Sequence, residues 1–197
     1  MPHPHIPPRN YVHFDIDPQN ILVGEYDNDP NSRHYGAPRL KITDFGLMED
    51  AQPAALDNFG WVYPRRGRGK KGYLAPEQFT TEWGMARIQE LRNIPPRRWK
   101  DVHPSYEPDV AGKYSHKTNI FQLGHVMYNI ITRYRMPESP PEPVIYWHDP
   151  AHPFQAGHPP ARTHAGMLLL DQHFGHVDPY LRDLVIRMMY ENPDRRP

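Results

Sequence analysis

The stretch His13-Phe14-Asp15-Ile16-Asp17-Pro18-Gln19-Asn20 sets two carboxylates and a carboxamide around a proline. Directly after it, Ile21-Leu22-Val23 is a short apolar run typical of a buried strand. Residues 39–43 alternate polar and apolar side chains and predict a second strand, which pairs with the first across the polar loop 24–38. Asp44-Phe45-Gly46 follows at once. The sequence therefore predicts a small β-hairpin that carries both polar motifs.

Helical periodicity replaces the strand pattern further along the chain. Residues 118–132 predict a buried helix, because apolar side chains cover much of its circumference. They form a stripe of Ile120, Leu123, Met127, Ile130 and Ile131, widened by Phe121, Val126 and Tyr128. Residues 178–190 return to helical spacing, and residues 80–92 predict a helix capped by Thr81. The stretches 47–76 and 137–160, the second of them rich in proline, are predicted to be irregular.

Composition limits the class of protein. The 197 residues include 25 prolines and only 38% apolar residues, so large irregular segments should surround a modest core. The 23 basic and 23 acidic side chains balance, which makes nucleic acid an unexpected partner. There is no cysteine, and no apolar run approaches the ~20 residues of a membrane span. We expect an intracellular protein of the cytoplasm or nucleus, with a disordered segment at 1–10.

Three motifs occur in an order that resembles the C-terminal lobe of a eukaryotic protein kinase of the Ser/Thr type. Residues 13–20 resemble the catalytic loop H-R-D-x-x-x-x-N, residues 44–46 are D-F-G, and Ala75-Pro76-Glu77 is A-P-E. The resemblance implies an α+β, mainly α-helical fold without the N-terminal lobe. Its parts are the catalytic loop 13–20, activation segment 44–77, insertion 79–113, buried helix 118–132, proline-rich loop 137–160 and C-terminal helix 178–190, all within a partial kinase domain at 11–197.

The same resemblance assigns roles to individual residues. Asp15 would accept or orient the substrate hydroxyl, and Asn20 and Asp44 would hold the Mg²⁺ that accompanies ATP. Asp15 and Asn20 could instead cap a turn, since both residue types hydrogen-bond nearby backbone, and Asp44 could be an ordinary strand-end residue. His13 is interpreted as a packing residue rather than a base or metal ligand.

Other positions depart from the kinase pattern. Phe14 replaces the arginine that receives an activation-segment phosphate, and no Ser or Thr lies between Gly46 and Ala75. Activity should therefore not depend on phosphorylation of a Ser or Thr in that segment. Asp17 stands where the loop usually carries lysine, and Lys70 stands where the family tends to place threonine. We predict that these charges are exchanged and pair; in the alternative, Lys70 belongs to a solvated basic loop.

Three further residues are expected to tie the lobe together. By resemblance, Glu77 and Arg196 form a buried ion pair between the activation segment and the last helices. Asn119 takes the place of an aspartate that anchors the backbone of the catalytic loop, so the anchor should be weaker rather than lost.

Several functional readings remain open at this point. Only twelve residues precede His13, so the chain has no room for a glycine-rich loop or its lysine, and by itself it should bind Mg·ATP poorly. It is either a kinase acting on protein substrates once completed by an N-lobe, or an inactive kinase-derived module that docks a partner. A small-molecule phosphotransferase is a weaker alternative. The basic run 65–71 could dock acidic partners or be solvated, and 137–143 could be a polyproline ligand or a stiff connector.

Overall fold

The computed structural model describes residues 9–84, 109–134, 142–146 and 161–197. In these residues the strands and α-helices are β1 (Tyr11–Val12), β2 (Ile21–Tyr26), β3 (Pro38–Ile42), β4 (Glu49–Asp50), α1 (Pro53–Leu56), α2 (Phe59–Val62), α3 (Pro76–Phe79), α4 (His116–Thr132), β5 (Val144–Tyr146), β6 (Ala161–Thr163) and α5 (Pro179–Met188). Short 3-10 turns cover Pro18–Asn20, Phe45–Leu47, Tyr63–Gly67, Lys71–Tyr73, Leu168–Leu170, Gln172–Phe174 and Pro193–Arg195. The fold is thus a mixture of helices and small antiparallel sheets.

The predicted hairpin is present but lies at the surface. β2 and β3 pair antiparallel with Ile21 opposite Ile42 and Val23 opposite Leu40, as the alternation predicted. The expectation of a buried first strand is wrong, since Val23 is 71% exposed and Leu40 is 63% exposed. The strand also continues to Tyr26, so the loop is shorter than 24–38. The two strands mainly contact each other, and a two-stranded ribbon on its own buries neither face.

Segment 1–10 differs from the expected disordered tail where it can be described. Residues 1–8 lie outside the described residues. Asn10, however, is bonded on several sides: its amide nitrogen donates to the Ala51 carbonyl at 2.8 Å, and its amide oxygen accepts from the His116 backbone at 3.0 Å. Next to it, β1 pairs with β4. The folded part of the chain therefore begins before residue 11.

Helix α4 confirms the predicted long helix and corrects the side it buries. It starts two residues earlier than expected, with Ser115 as cap. Ile130, in the predicted apolar stripe, is 69% exposed. The buried side instead mixes apolar and polar residues: Thr118, Phe121, Gln122, Gly124, His125, Val126 and Tyr128. A prediction from hydrophobicity alone gave the wrong face of α4, because the polar side chains on its buried side hydrogen-bond to other segments, as described below.

Helix α5 confirms the predicted C-terminal helix, with Asp178 capping its first turn. It packs closely against α4, where Gly124 lies against Met188. The core has two clusters of buried side chains. One joins α4, α5, β5 and β6 through Phe121, Tyr128, Tyr146, Val185, Ile186 and Met189. The other gathers Val12, Phe14, Phe59, Val62, Trp83 and Tyr114 around the start of the chain.

Two stretches predicted to be irregular contain regular structure. α1 and α2 lie within 47–76. In 137–160, β5 pairs with β6, and its three residues contain none of the prolines that would remove a ladder hydrogen bond. Residues 137–141 and 147–160 lie outside the described residues, as do 85–92 of the expected helix and 85–108 of the insertion. No helix in the described ranges is long and apolar enough to cross a membrane.

Candidate active site

The polar loop 13–20 folds into a compact cluster of side chains. Asp17 caps the turn Pro18–Asn20 by accepting from the Gln19 backbone at 2.7 Å. The Asn20 amide nitrogen donates to Asp15 twice, to its carbonyl at 2.8 Å and to its Oδ2 at 3.0 Å, and also reaches Asp17. Turn capping is thus the local role of Asp17. The Oδ1 atom of Asp15 is buried and has no hydrogen-bond partner among the described residues.

Two amide side chains of helix α4 hold this loop by hydrogen bonds to backbone groups. Asn119 accepts from the His13 backbone at 2.8 Å and donates to the Tyr11 carbonyl at 2.9 Å, which is the anchoring role predicted for it. Gln122 accepts from the Ile16 backbone at 3.3 Å and donates to the Phe14 carbonyl at 3.1 Å. Sequence reasoning missed Gln122; its one signal was a polar residue between apolar neighbours on a buried helix.

Phe14 and His13 are structural parts of the loop. Phe14 has a positive φ of 66°, is fully buried, and meets the edge of the Tyr114 ring at 5.2 Å between centroids. His13 lies with Nε2 at 3.0 Å from the Thr43 carbonyl, and its Nδ1 accepts from the Asp15 backbone at 3.3 Å. Both ring nitrogens are therefore used by the backbone, in agreement with a packing role. His13 also joins the loop to the end of β3.

Asp44 lies two residues after Ile42, the end of β3, one residue further from the strand than the sequence predicted. Its backbone is left-handed, with φ 59°, and its exposed side chain caps the turn Phe45–Leu47 by accepting from Gly46 at 3.3 Å. The described residues contain no cluster of three or more His, Asp or Glu side chains suited to a metal. Asn20 and Asp44 still offer the oxygen atoms that Mg²⁺ prefers, and Mg²⁺ sites commonly use one or two carboxylates with substrate phosphates. The two side chains have the donor chemistry for this ion, and its assignment to them stays a prediction.

Lys70 lies at the loop, 53 residues from Asp17 in the sequence. Its ammonium contacts Asp17 Oδ2 and lies 3.9 Å from Asp15 Oδ2. The hydrogen bond to Asp17 raises the pKa of Lys70, with further help from the charges of Asp15 and Asp44. The Asp17 side chain is only 2% exposed, so its charge is compensated chiefly by this contact and the loop hydrogen bonds. The structure thus brings the proposed pair together; its catalytic use stays a prediction.

A close backbone contact fixes the approach of Lys70. The preceding Gly69 has φ 89°, and a Cβ at this position would overlap the Phe14 carbonyl oxygen. Only glycine combines that conformation with that proximity. The basic run 65–71 is packed in part: Arg66 lies over the rings of Tyr63 and Trp83, whereas Lys71 is exposed.

Glu77 and Arg196 form the predicted buried pair. Arg196 Nη1 and Nη2 donate to the two carboxylate oxygens of Glu77 at 2.8 Å. Thr118 donates to the same carboxylate at 2.9 Å. The pair joins α3 to the last turn of the chain.

Comparison with known proteins adds no assignment. No protein-family model matches the chain, and no curated protein matches it. The functional conclusion must therefore come from the geometry and chemistry of the cluster.

Proposed function

We propose that the chain is the C-terminal lobe of a Ser/Thr-type protein kinase, which transfers phosphate from ATP to a protein hydroxyl when an N-terminal lobe completes the nucleotide site. The observation that carries this proposal is the convergence of Asp15, Asp17, Asn20 and Lys70 on one point from two distant segments. Asp44, just after β3, and the buried Glu77–Arg196 pair support it, because both belong to motifs that carry the resemblance.

The chemistry needs a proton acceptor and compensation of phosphate charge. The substrate oxygen forms a bond to the γ-phosphorus of ATP, and the bond between that phosphorus and the bridging oxygen of departing ADP breaks. Asp15 orients the hydroxyl and accepts its proton. Lys70 supplies positive charge near the transferring phosphate, and its raised pKa keeps it protonated at neutral pH.

The remaining polar residues hold and orient. Asp17 keeps Lys70 in place by their ion pair. This pairing explains how a carboxylate, which alone would repel phosphate, can lie at this position. When bound, Mg²⁺ neutralises charge on the phosphates, and Asn20 and Asp44 would hold it. The amide nitrogen of Asn20 donates to Asp15 and Asp17, so its amide oxygen is the atom that would bind such an ion.

The test uses the native protein isolated from its own cells, with its intact mass measured. Casein and [γ-³²P]ATP with Mg²⁺ are the probes. We expect labelled casein from the native form and a loss of about 10³-fold or more for Asp15→Asn, since this change removes the proton acceptor. Asp29→Asn, in the exposed turn of the hairpin, is the matched control. No transfer and no Mg·ATP-dependent rise in Tm would overturn the kinase proposal in favour of a non-catalytic binding module.

A further inference from the structure

Two arginines of the activation segment converge on one carboxylate. Glu49, in β4, accepts from Arg65 Nε at 2.8 Å through Oε2, and Arg65 Nη2 contacts the same oxygen. Arg68 Nη1 contacts the other oxygen, Oε1. The side chains are partly shielded, with 21% of Glu49 and 11% of Arg65 exposed. A carboxylate shared by two guanidinium groups is a stronger contact than an isolated surface ion pair.

Arg65 is held on its other sides as well. Its guanidinium stacks over the Trp61 ring, 3.7 Å from the centroid, and its Nη1 contacts the Trp61 carbonyl. The backbone around it is fixed by Gln78 of α3, which donates to the carbonyls of Arg65 and Arg68 at 3.0 and 2.8 Å. We call this assembly of Glu49, Arg65 and Arg68 the arginine latch. It fastens the turn Tyr63–Gly67 to β4, α2 and α3 together.

The latch leads directly into the candidate active site. Arg68 is followed by Gly69, whose backbone lies against the Phe14 carbonyl, and then by Lys70 at Asp17. Two fixed points, the latch and the Gly69 contact, therefore determine where Lys70 leaves the segment. An arginine cluster commonly orders a loop by binding a phosphate group. Here the anion is an encoded glutamate, and no Ser or Thr occurs between Gly46 and Ala75.

We infer that Glu49 is a positioning residue, which through Arg65 and Arg68 keeps the activation segment ordered and Lys70 at Asp17 without any modification of the segment. The meaning of this for phosphoryl transfer rests on the proposed function, but the ordering itself does not. The arginine latch is a permanent contact in the place of a phosphorylation switch, so the candidate site is assembled as soon as the chain folds.

The experiment compares the full chain with its Glu49→Gln variant, both made in bacteria and shown by intact mass to be unphosphorylated. Hydrogen exchange of peptides covering 59–74 reports the order of the segment. Acylation of Lys70 by acetic anhydride, relative to Lys41 on β3, reports the position of its amine. We expect exchange at least about tenfold faster in the variant. Lys70 should react at least about threefold faster, because an amine released from Asp17 has a lower pKa and a larger unprotonated, reactive fraction.

Controls separate the latch from general damage. Glu25→Gln, on the exposed hairpin, should match the wild type in both readouts. Should Glu49→Gln fail to fold by circular dichroism, Arg68→Gln removes a single, 34% exposed arm and should give the same changes in smaller measure. Unchanged exchange, or faster exchange with unchanged Lys70 labelling, would overturn the inference. Neither assay contains ATP, so a failure of the kinase proposal leaves this result distinguishable.

Discussion

Glu77 and Arg196 are 119 residues apart in the sequence, and their side chains meet with both fully buried. Every polar group around them is used: Arg196 also donates to the carbonyls of Lys117, Tyr190 and Glu191. A buried ion pair stabilises a fold only when its remaining hydrogen bonds are met in this way, because the desolvation of both charges opposes it. The pair therefore connects α3 and α4 to the last turn of the chain.

Loss of one partner should be costly. Arg196→Gln leaves the Glu77 carboxylate buried without its counter-charge, and we expect unfolding free energy to fall by about 3–5 kcal/mol. Urea unfolding followed by circular dichroism measures it. The matched control is Lys113→Gln, which breaks an exposed pair with Asp194 and should cost less than about 1 kcal/mol. Similar losses in the two variants would contradict a special role for the buried pair.

The Lys70–Asp17 contact predicts coupled effects of mutation. Each side chain serves the other, so Lys70→Ala and Asp17→Asn should each lower phosphoryl transfer, and the double variant should lose little beyond the worse single one. Asn at 17 keeps an oxygen to cap the Gln19 backbone, which separates pairing from capping. The measurement is kcat/KM of the native-length protein for all four forms. Losses that simply multiply would show that the two residues act independently.

The same pair can be checked without catalysis. The hydrogen bond to Asp17 is the main cause of the raised pKa of Lys70. In Asp17→Asn this pKa should fall, and NMR titration of the Lys70 side chain would record the change. Lys41, on the exposed hairpin, serves as the reference lysine in the same spectra.

His125 predicts how stability depends on pH. It is buried in α4, its ring lies tilted against Tyr73 at 4.7 Å between centroids, and its Nε2 has no hydrogen-bond partner among the described residues. Burial, with the nearby charge of His164, lowers its pKa to about 4. The unfolded chain binds a proton near pH 6.5 and the folded one only near pH 4. The stabilising effect of neutral His125 is thus present above pH 6.5 and is lost as pH falls toward 4.

The size of this effect follows from the pKa difference. Between pH 7 and 5 we expect His125 to remove about 2 kcal/mol of stability. Chemical unfolding at both pH values, in the wild type and in His125→Phe, isolates it, because phenylalanine keeps an aromatic ring but cannot titrate. Equal pH slopes in the two proteins would assign the acid sensitivity to other groups.

Local sequence patterns predicted the positions of the helices and strands better than they predicted which of their faces are buried. The hairpin, α4 and α5 were found because alternation and helical spacing are properties of neighbouring residues. The burial of Val23 and the inward face of α4 were misjudged because burial depends on what packs from elsewhere. Gln122 looked like an interruption of an apolar helix until its bonds to the loop 13–20 were seen.

The candidate site was predictable to the extent that it follows spaced motifs. Asp15, Asn20, Asp44 and the pairing of Lys70 with Asp17 came from order and charge in the sequence. The latch did not, because Glu49 and Arg65 are 16 residues apart and no periodicity links them. Contacts of this kind are set by tertiary geometry, and a single sequence holds no signal of them.

Gly124 tests the packing of the two main helices. A Cβ at this position would lie 2.7 Å from Met188 Cβ, inside the contact distance of two carbon atoms. Gly124→Ala should therefore push α4 from α5 and cost about 1–3 kcal/mol, although alanine is the better helix former. Gly72→Ala is the control, since a Cβ there meets nothing within 4 Å. Urea unfolding measures both; a stabilised Gly124→Ala would mean that the helices are spaced more widely than the structure has them.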